Sequence, residues 1–466
     1  MSMISLFNTL TKSVQPFAPI KKDVVSMYCC GPTVYNYAHI GNLRTYIFED
    51  ILRRTLEYNG YHVKHVMNIT DVGHLTSDAD EGEDKMLSGA KREGKTVWDI
   101  AKFYEKAFMS DIEKLNIRKP SIVCRATEHI KEMIEMIQKL EKNGHAYVAG
   151  GNVYYDVSTF PAYGDFARLN LEELNQSRVE EDSNKRNRHD FVLWFTKSKF
   201  EDQAMKWDSP WGTGYPGWHI ECSAMSTKYL GDQFDIHCGG IDHVNVHHTN
   251  EIAQTEGATN KKPWVNYWLH GDFLVLEKEK MSKSAGTFLT MQSLIDKGYD
   301  PLDYRYFCLG AHYKTQLMFS FEALDAAKQA YSRLRNKVIE LKKDQSSKNK
   351  ANKTEYQKSF SDAISDDLNI SKALGIVWEL VKDDQLGNQE KLELIFDFDT
   401  VFGLKLREAK EEEIDVPEDV KQLAEQRTAA KKSKNFAESD RLRNLLAEKG
   451  FVIEDKSDGS YKIKKK

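Results

Sequence analysis

Two residues near the N-terminus, His39 and Asn42, have the type and the position needed to contact phosphate groups. They end a stretch that begins at Cys30 and reads Cys-Gly-Pro-Thr-Val-Tyr-Asn-Tyr-Ala-His-Ile-Gly-Asn. An apolar run over 24–29 precedes it and an amphipathic pattern over 43–58 follows it, which predicts a strand, a turn and a helix. Because a helix N-terminus favours anions, an imidazole and an amide placed there suit a triphosphate. A capping turn with a surface histidine is the alternative.

A second polar loop, over 280–284, reads Lys-Met-Ser-Lys-Ser. Its lysines, Lys280 and Lys283, can reach phosphate oxygens as point charges; a solvated basic turn is the alternative. Between the two motifs, Asp242 follows a pair of glycines. Its carboxylate can accept ribose hydroxyls, as acidic residues do in dinucleotide-binding folds, and a simple turn aspartate is the alternative.

Four scattered residues have side chains that could bind one metal ion. His247 and Glu251 lie one turn apart on a predicted helix, so both can reach the same point. Cys30 and Cys222 lie beside predicted sheet edges, near the crevice of a doubly wound sheet. Two thiolates, an imidazole and a carboxylate make a suitable Zn²⁺ set. Taken singly, a hydrogen-bonded histidine, a solvated glutamate and two core cysteines are the alternatives.

The elements that must position these residues are those of an α/β fold. A strand, a helix and a strand over 24–69 form half of a doubly wound, Rossmann-like parallel sheet, and such patterns return after residue 215. We therefore expect a sheet split by an insertion, followed by a helical bundle and a small C-terminal α+β segment. The predicted domains are a first catalytic half at 1–117, an inserted connective domain at 118–205, a second catalytic half at 206–300, a helical region at 301–410 and a C-terminal segment at 411–466.

Patterns within these domains predict individual elements. The segment 160–206 is irregular and charged, and no strand is predicted in it. The predicted strands are 61–69, 147–156, 234–237 and 272–276, and the predicted helices include 97–115, 127–143, 247–258, 419–432 and 437–449.

Composition limits the partners and the compartment. The 466 residues carry a net charge of −5, so nucleic-acid binding would require a local basic patch. The segment 421–466 provides one, with 13 Lys and Arg against seven Asp and Glu, and Arg427 is among the residues expected to contact RNA phosphates. A solvated tail is the alternative for 464–466. No long apolar run or signal peptide is visible, so no transmembrane helix is expected. The six scattered cysteines indicate a reduced, cytoplasmic protein.

The histidine turn and the lysine loop together resemble the two signature motifs of the class I aminoacyl-tRNA synthetases. Two further stretches, Gly-Trp-His-Ile-Glu-Cys-Ser-Ala-Met from Gly217 and His-His-Thr-Asn-Glu from His247, resemble the cysteinyl-tRNA synthetase family, and this resemblance covers nearly the whole chain. The chain departs from the family pattern at Asn42, at Phe195 and at the Ala-Gly-Thr of 285–287. None of these departures falls on a presumed metal ligand.

The resemblance implies ATP-dependent activation of L-cysteine to cysteinyl-adenylate and transfer to tRNA(Cys), with Mg²⁺ accompanying ATP and one zinc ion per chain. It implies that the helices over 322–400 form the family's bundle and that the last segment reads the anticodon. It assigns catalysis to His39, Asn42, Lys280 and Lys283, ATP binding to Thr33, His39, Gly41, Asn42, Asp242 and Lys283, cysteine binding to Cys30, Gly31, Thr70, Trp218 and His237, and zinc ligation to Cys30, Cys222, His247 and Glu251.

Two other functions remain as alternatives. One is a related ligase that joins activated cysteine to an amino sugar without tRNA, which the helical bundle and the basic C-terminal segment disfavour. The other is a non-enzymatic paralogue that binds tRNA or zinc. Such a paralogue is expected to lose His39 or Lys283, and both are present.

Overall fold

The computed structural model describes residues 3–73, 90, 93–168, 182–197, 204–276, 288–344, 353–411, 416–455 and 460–465. The chain divides into two compact units, Met1–Glu408 and Ala409–Lys466. The lysine loop, with Lys280 and Lys283, lies outside the described residues. In the ranges given above, no helix combines the length and the apolarity needed to cross a membrane.

The secondary structure of the described residues alternates strands and helices in the first half and is mainly helical in the second. The strands are β1 (Ser5–Asn8), β2 (Ser13–Pro16), β3 (Val24–Cys29), β4 (His62–Ile69), β5 (Ile122–Arg125), β6 (Ala146–Ala149), β7 (Asn152–Tyr155), β8 (Phe191–Phe195), β9 (Tyr215–Pro216), β10 (Phe234–Gly240), β11 (Val265–Gly271), β12 (Leu274–Leu276), β13 (Leu317–Phe319), β14 (Phe451–Asp455) and β15 (Tyr461–Lys465). The α-helices are α1 (Ile40–Tyr58), α2 (Val97–Lys114), α3 (Ile130–Lys142), α4 (Trp218–Leu230), α5 (His247–Thr259), α6 (Met291–Asp296), α7 (Pro301–Leu309), α8 (Phe321–Lys343), α9 (Lys353–Ser365), α10 (Ile370–Lys382), α11 (Asn388–Phe402), α12 (Glu418–Lys432) and α13 (Phe436–Glu448).

A five-stranded parallel sheet forms the centre of the first unit, in the order β11-β10-β3-β4-β5. The chain runs outward from β3 to β5 and later returns to β10 on the other side of β3, where Cys238 pairs with Cys29. Connections leave this point in opposite directions, so a crevice opens at the carboxyl ends of the two strands. The predicted doubly wound α/β sheet is therefore confirmed, with the switch point between β3 and β10.

The helix after β3 forms because its apolar residues fall on one face. Leu43, Ile47 and Ile51 are spaced at helical intervals and are buried against the sheet. Helix α1 starts at Ile40, three residues before the predicted start, because His39 supplies the N-cap.

A four-stranded antiparallel sheet, β6-β7-β8-β9, is inserted between β5 and β10. The single strand predicted at 147–156 is instead the hairpin of β6 and β7. Its turn is made by Gly150 and Gly151 at φ values of 56° and 97°, which favour glycine. The prediction of an irregular 160–206 segment is wrong over Phe191–Phe195, where β8 is buried between β7 and β9.

The far edge of the central sheet also differs from the prediction. Strand β11 was not predicted, although it pairs with β10 along its length. The strand expected over 272–276 is confined to β12 and pairs in parallel with β13, outside the central sheet. Strand β11 lies at the edge of the sheet and mixes polar and apolar residues, so its own sequence carries no clear strand pattern. Its partner β10 is distant in sequence.

A buried ion-pair network fixes the helical region to the sheet. The guanidinium of Arg305, on α7, donates to Asp50 Oδ2 at 2.6 Å, to Leu115 O at 3.0 Å and to Phe402 O at 2.7 Å. Arg54 donates to the same Asp50 oxygen at 2.7 Å. Burial opposes ionisation of Asp50, but the two guanidiniums lower the pKa of this carboxyl. The network therefore joins α7 to α1 and to the C-terminal end of α11.

The second unit consists of α12, α13 and the β14–β15 hairpin, as the sequence predicts for this segment. Arg427 is fully buried, and its Nη2 donates to Asp455 Oδ2 at 2.8 Å. The expectation that Arg427 contacts RNA is therefore wrong, because its guanidinium is enclosed within the unit. The buried apolar core of the unit consists of Val420, Ala424, Leu446, Phe451 and Ile453.

Candidate functional site

Four buried side chains converge at one point of the first unit, and their ligand atoms all lie within 4.8 Å of one another. The set contains two thiols, one imidazole and one carboxyl, which are the donor types that Zn²⁺ prefers. It is the same set that the sequence analysis assigned to a metal. The four residues are Cys30, Cys222, His247 and Glu251.

Two neighbouring histidines, His237 and His248, could replace two members of this cluster by distance alone. However, His237 Nε2 lies 2.9 Å from Glu251 Oε2, and His248 Nε2 lies 3.3 Å from Cys30 Sγ. Both rings therefore have hydrogen-bond partners. In contrast, Glu251 Oε1 lies 2.9 Å from His247 Nε2 without hydrogen-bond alignment, and no donor satisfies it among the described residues. Glu251 belongs to both sets, and its buried, orphaned oxygen faces His247, which belongs to the set with two cysteines.

Burial and mutual contacts set the charges of the cluster. Burial opposes ionisation of Glu251, but His237 and His247 outweigh it and lower the pKa of the carboxyl to about 2. Burial also opposes protonation of His247, but the Glu251 carboxylate raises the pKa of this imidazole to about 10. Burial raises the pKa of the Cys30 thiol; it acts on Cys222 too, but hydrogen bonds from Cys30 and His247 lower the Cys222 pKa. The Glu251 carboxylate and the Cys222 thiol, whose pKa is lowered, thus face the point where a cation would bind.

Three separate elements bring the cluster together. Cys30 directly follows β3 at the switch point, and His247 and Glu251 lie one turn apart on α5. Cys222 lies on α4, which packs against α5. The sequence analysis placed Cys222 beside a sheet edge, and that placement is wrong, because a helix presents its side chain to the cluster.

Further histidines, which the sequence analysis did not single out, surround the cluster. His219 Nδ1 lies 2.9 Å from His247 Nδ1, and His248 Nδ1 lies 2.7 Å from His270 Nε2, whose other nitrogen contacts Thr9 Oγ1 at 2.8 Å. Such outer partners fix the orientation of metal-binding side chains. The sequence did contain a signal for them, the local enrichment of histidine: six of the 14 histidines fall between residues 219 and 270.

The histidine turn forms a capping box at the start of α1. The Asn42 backbone N–H donates to His39 Nδ1 at 3.0 Å, and the His39 N–H donates to Asn42 Oδ1 at 3.3 Å. Burial lowers the pKa of His39, so the ring is neutral and carries its proton on Nε2. His39 Nε2–H and Asn42 Nδ2 are therefore the donors that this turn can offer to an anion. Gly41 lies between them in the first turn of α1.

Asp242 lies on the opposite side of the switch point, just after β10, and is exposed. Its carboxylate is close enough to act on the pKa of His39, which it raises against the larger effect of burial. A Cβ at Gly240 would lie 2.3 Å from Asp242 Oδ1, and a Cβ at Gly239 would lie 2.7 Å from His248 Cε1. The exposed Asp242 side chain could move away from a Cβ at position 240, whereas glycine at position 239 permits the close approach of this strand end to the buried His248 ring beside the metal cluster.

The residues expected to bind cysteine lie on several sides of the cluster. Thr70 Oγ1 donates to the buried Glu221 at 2.8 Å, and its backbone pairs with Thr33. The Trp218 ring lies 4.4 Å from the His247 ring. Gly31 N donates to the Asn68 side chain, and a Cβ at Gly31 would lie 1.6 Å from Asn68 O. His237 is fully buried behind Glu251, where it holds the carboxylate.

Comparison with known proteins finds relatives that match nearly the whole chain. The family model described as the tRNA synthetases class I (C) catalytic domain matches residues 16–329. A cysteine–tRNA ligase of Treponema denticola is 52% identical, over 97% of this chain and 98% of the relative. One of Borrelia garinii subsp. bavariensis is 47% identical, over 99% of this chain and 100% of the relative.

The solved structures that resemble the chain carry the same fold. Mycobacterium tuberculosis methionyl-tRNA synthetase, bound by methionyl-adenylate, superposes with a TM-score of 0.56 at 13% identity, over 82% of this chain and 90% of that one. At this identity the likeness concerns the fold alone. Together with the family model and the close, full-length relatives, it shows that the chain belongs to the cysteine–tRNA ligases, a family of class I aminoacyl-tRNA synthetases.

Proposed function

We propose that the chain activates L-cysteine with ATP and Mg²⁺, transfers the cysteinyl group to tRNA(Cys), and holds one zinc ion at its cysteine-binding site. The carrying observation is the convergence of two cysteines, a histidine and a glutamate beside the crevice that contains His39 and Asp242. The amino-acid site and the phosphate site would thus both lie at the carboxyl ends of β3 and β10. The proposed zinc ligands are Cys30, Cys222, His247 and Glu251.

The buried donors fit zinc because they would otherwise be poorly satisfied. Glu251 Oε1 has no hydrogen-bond donor among the residues described, and contacts with Cys30 and His247 lower the pKa of the Cys222 thiol. When bound here, zinc would take the substrate thiolate as an additional ligand, and a soft thiolate is preferred over a serine hydroxyl. Shape alone separates such near-isosteres by only roughly 10²-fold. Trp218, whose ring lies against His247, and Thr70 would complete the walls of the pocket.

In the first reaction step, an oxygen of the cysteine carboxylate attacks the α-phosphorus of ATP, and the bond to the pyrophosphate oxygen breaks. Little covalent catalysis is required, so positioning and charge stabilisation carry the rate. His39 would donate from Nε2 and Asn42 from Nδ2 to phosphate oxygens. Asp242 would accept the ribose hydroxyls, while Thr33 and Gly41 would contribute backbone contacts to the nucleotide.

The lysine loop would stabilise the leaving pyrophosphate. Ile40 N donates to Leu289 O at 2.8 Å, and the His39 and Phe288 rings lie 5.9 Å apart, so the chain just after the loop contacts the histidine turn. Lys283 precedes Phe288 by five residues, a span of at most about 18 Å. Lys283, and Lys280 beside it, can therefore reach the phosphates bound at His39.

In the second step, a ribose hydroxyl of the terminal adenosine of tRNA attacks the carbonyl carbon and AMP leaves. We assign anticodon binding to the unit Ala409–Lys466, because the anticodon lies far from the acceptor end and this unit is compact by itself. We include a cytoplasmic location in the proposal, because all six cysteines are buried, free thiols.

The deciding experiment combines metal analysis with two activity assays. Freshly purified protein should contain about one zinc per chain, and cysteine-dependent ATP–pyrophosphate exchange and charging of tRNA(Cys) should both be present. Glu251→Gln should lower zinc content and should weaken cysteine affinity more than ATP affinity. Active, zinc-free protein would refute the metal site while leaving the activity intact. Exchange without charging would instead favour a ligase that does not use tRNA.

A further inference from the structure

An exposed aromatic patch lies beside the histidine turn and has no role in the proposed chemistry of adenylate formation. The side chains of Tyr37, Trp98 and Phe103 are exposed by 42%, 43% and 41%. They are three of the four aromatic side chains that are classed as exposed in the described part of the chain, the fourth being Phe436 in the other unit. A cluster of aromatic side chains that exposes this much surface is typical of a site where a partner binds.

Contacts with the rings of the protein hold the patch in a fixed arrangement. The Tyr37 ring meets the Phe103 ring edge-on at 6.1 Å and the buried Tyr104 ring at 5.0 Å. The Trp98 ring meets the partly buried Trp207 ring at 6.4 Å with an interplanar angle of 82°. In these edge-on arrangements, each exposed ring keeps a face that is not covered by its partner in the pair.

The patch is also positively charged in a way that suits a phosphate backbone. Lys95 Nζ lies 4.3 Å from the centre of the Phe103 ring. On the same exposed side of α2, Lys102 follows Trp98 by four residues and Lys106 follows Phe103 by three, and neither forms an ion pair with any described residue. Among the described residues, two acids near these rings are engaged within the protein.

Those acids are Asp99, whose Oδ2 accepts from Thr96 Oγ1 at 2.7 Å, and Glu93, which pairs with Lys95 at 3.2 Å and accepts a hydrogen bond from Tyr104. The exposed aromatic rings therefore share their surface with unpaired lysines. Aromatic faces with interleaved cations are the surface on which single-stranded nucleic acids stack.

The position of the patch indicates which nucleic acid it would bind. Tyr37 precedes the phosphate-binding candidate His39 by two residues. Trp207 lies on the segment 204–216, which leads into α4 and so to Trp218 beside the metal cluster. The patch is thus linked along the chain to both sides of the crevice in which cysteinyl-adenylate would form, by Tyr37 on one side and by Trp207, which contacts Trp98, on the other.

We infer that Tyr37, Trp98 and Phe103 stack the unpaired nucleotides at the 3′ end of tRNA and direct its terminal adenosine into the crevice. Lys102 and Lys106 would contact the phosphates of the same strand. This inference rests on the proposed transfer of cysteine to tRNA. It assigns these residues a positioning role in the second step and no role in cysteine activation.

The test uses substitutions that separate ring stacking from apolar bulk. In the full-length protein, the pair Trp98→Leu and Phe103→Leu keeps apolar side chains but removes the ring faces, whereas Trp98→Phe retains a ring. Stacking on one base contributes on the order of 10-fold in affinity. Affinity is measured for intact tRNA(Cys) and for the same tRNA lacking its unpaired 3′ nucleotides.

The parent protein should bind intact tRNA about 10-fold or more tightly than truncated tRNA, and the double leucine variant should lose most of this difference. Trp98→Phe should retain it. The ratio of charging to ATP–pyrophosphate exchange should fall in parallel. An unchanged preference for intact tRNA in the leucine variant would overturn the inference, as would an equal loss of affinity for both tRNAs, which indicates a fold defect or another partner. A parent that exchanges pyrophosphate but never charges tRNA would refute the proposed function instead.

Discussion

His39 Nδ1 accepts a hydrogen bond from the backbone N–H of Asn42 at 3.0 Å, so the histidine caps α1 with one ring nitrogen and keeps the other for a ligand. The two roles can be separated by substitution, because asparagine is a good N-cap but does not extend as far as an imidazole Nε2.

We expect His39→Ala to lower the free energy of unfolding by about 1 kcal/mol and to slow cysteine-dependent ATP–pyrophosphate exchange about 10²- to 10³-fold. His39→Asn should restore most of the stability while leaving exchange slow. Denaturant unfolding followed by the exchange assay measures both quantities. If His39→Asn recovered activity together with stability, the ring would act only as a cap.

Local patterns were sufficient for the parts of the fold that depend on near neighbours. The strand–turn–helix over 24–58 and the following strand were predicted because apolar spacing and turn residues agree within one short stretch. Strands β8 and β11 were missed because each is paired with strands that are distant in sequence. Such pairing leaves little trace in the local pattern of a short or edge strand.

The candidate site was likewise predictable only in part, from features of short stretches and not from contacts between distant elements. Donor types, the helical spacing of His247 and Glu251, and the positions of Cys30 and Cys222 predicted the metal cluster, which the resemblance also implied and which the fold brings together. The sequence could not show that the β3–β10 pairing places Cys30 against α5, or that Cys222 is carried by a helix. It also could not show the outer hydrogen bonds of His219 and His270, which depend on packing between elements.

The lysine loop supports a second prediction. Lys283→Ala should slow the exchange reaction by about 10²-fold, because its charge is needed where negative charge builds up on the leaving pyrophosphate. Binding of free cysteine should change little, since the proposed cysteine site lies at the metal cluster and not at the lysine loop. Exchange kinetics and equilibrium binding of cysteine measure the two effects. Lys337→Ala is a matched control, because Lys337 is exposed and its one ion pair with a described residue is with Glu340. A Lys283→Ala variant with the parental exchange rate would refute the role.

A buried histidine supports a prediction about pH. His65, on β4, is 2% exposed, neither ring nitrogen has a hydrogen-bond partner among the described residues, and burial, with a smaller effect of Arg53, lowers its pKa to about 3. The pKa in the unfolded chain is about 6.5. Above this pH, His65 is neutral in both states. Below it, the unfolded chain binds a proton that the folded chain does not, so stability is lost as the pH falls towards 3.

We therefore expect the free energy of unfolding to fall less steeply with decreasing pH in His65→Leu than in the parent. Between pH 6 and pH 4 the two slopes should differ by up to about 1.4 kcal/mol per pH unit, which corresponds to one proton. Urea unfolding at a series of pH values measures this difference. Parallel curves would show that His65 is protonated in the folded protein.

The buried position of Arg427 changes what its substitution would report. Because Arg427 is enclosed in the C-terminal unit and paired with Asp455, Arg427→Ala should destabilise that unit by roughly 1–3 kcal/mol. Any loss of tRNA binding would then follow from unfolding. Limited proteolysis within 416–455 should reveal the defect without tRNA. A variant that resists proteolysis as the parent does would contradict this structural role.

Two exposed lysines are better candidates for RNA contact in the same unit. Lys432 and Lys434 lie at the turn between α12 and α13, next to the exposed ring of Phe436, and neither forms an ion pair with a residue that the structure describes. Other described cations of the unit are engaged: Lys421 pairs with Glu418, and Lys449 pairs with Asp419. The turn therefore offers phosphates two exposed lysines that no described acid neutralises.

Replacing Lys432 and Lys434 together by alanine should weaken tRNA(Cys) binding and reduce the dependence of log K on log salt by roughly 0.7–0.9 per lost phosphate contact. Cysteine-dependent exchange should keep its rate, because neither lysine belongs to the unit that contains the crevice. The matched control replaces Lys421 and Lys449, which removes the same charge but spares the turn. Equal salt slopes for the two double variants would show that the unit contributes only a diffuse positive field, and an unchanged affinity in both would exclude it from tRNA binding.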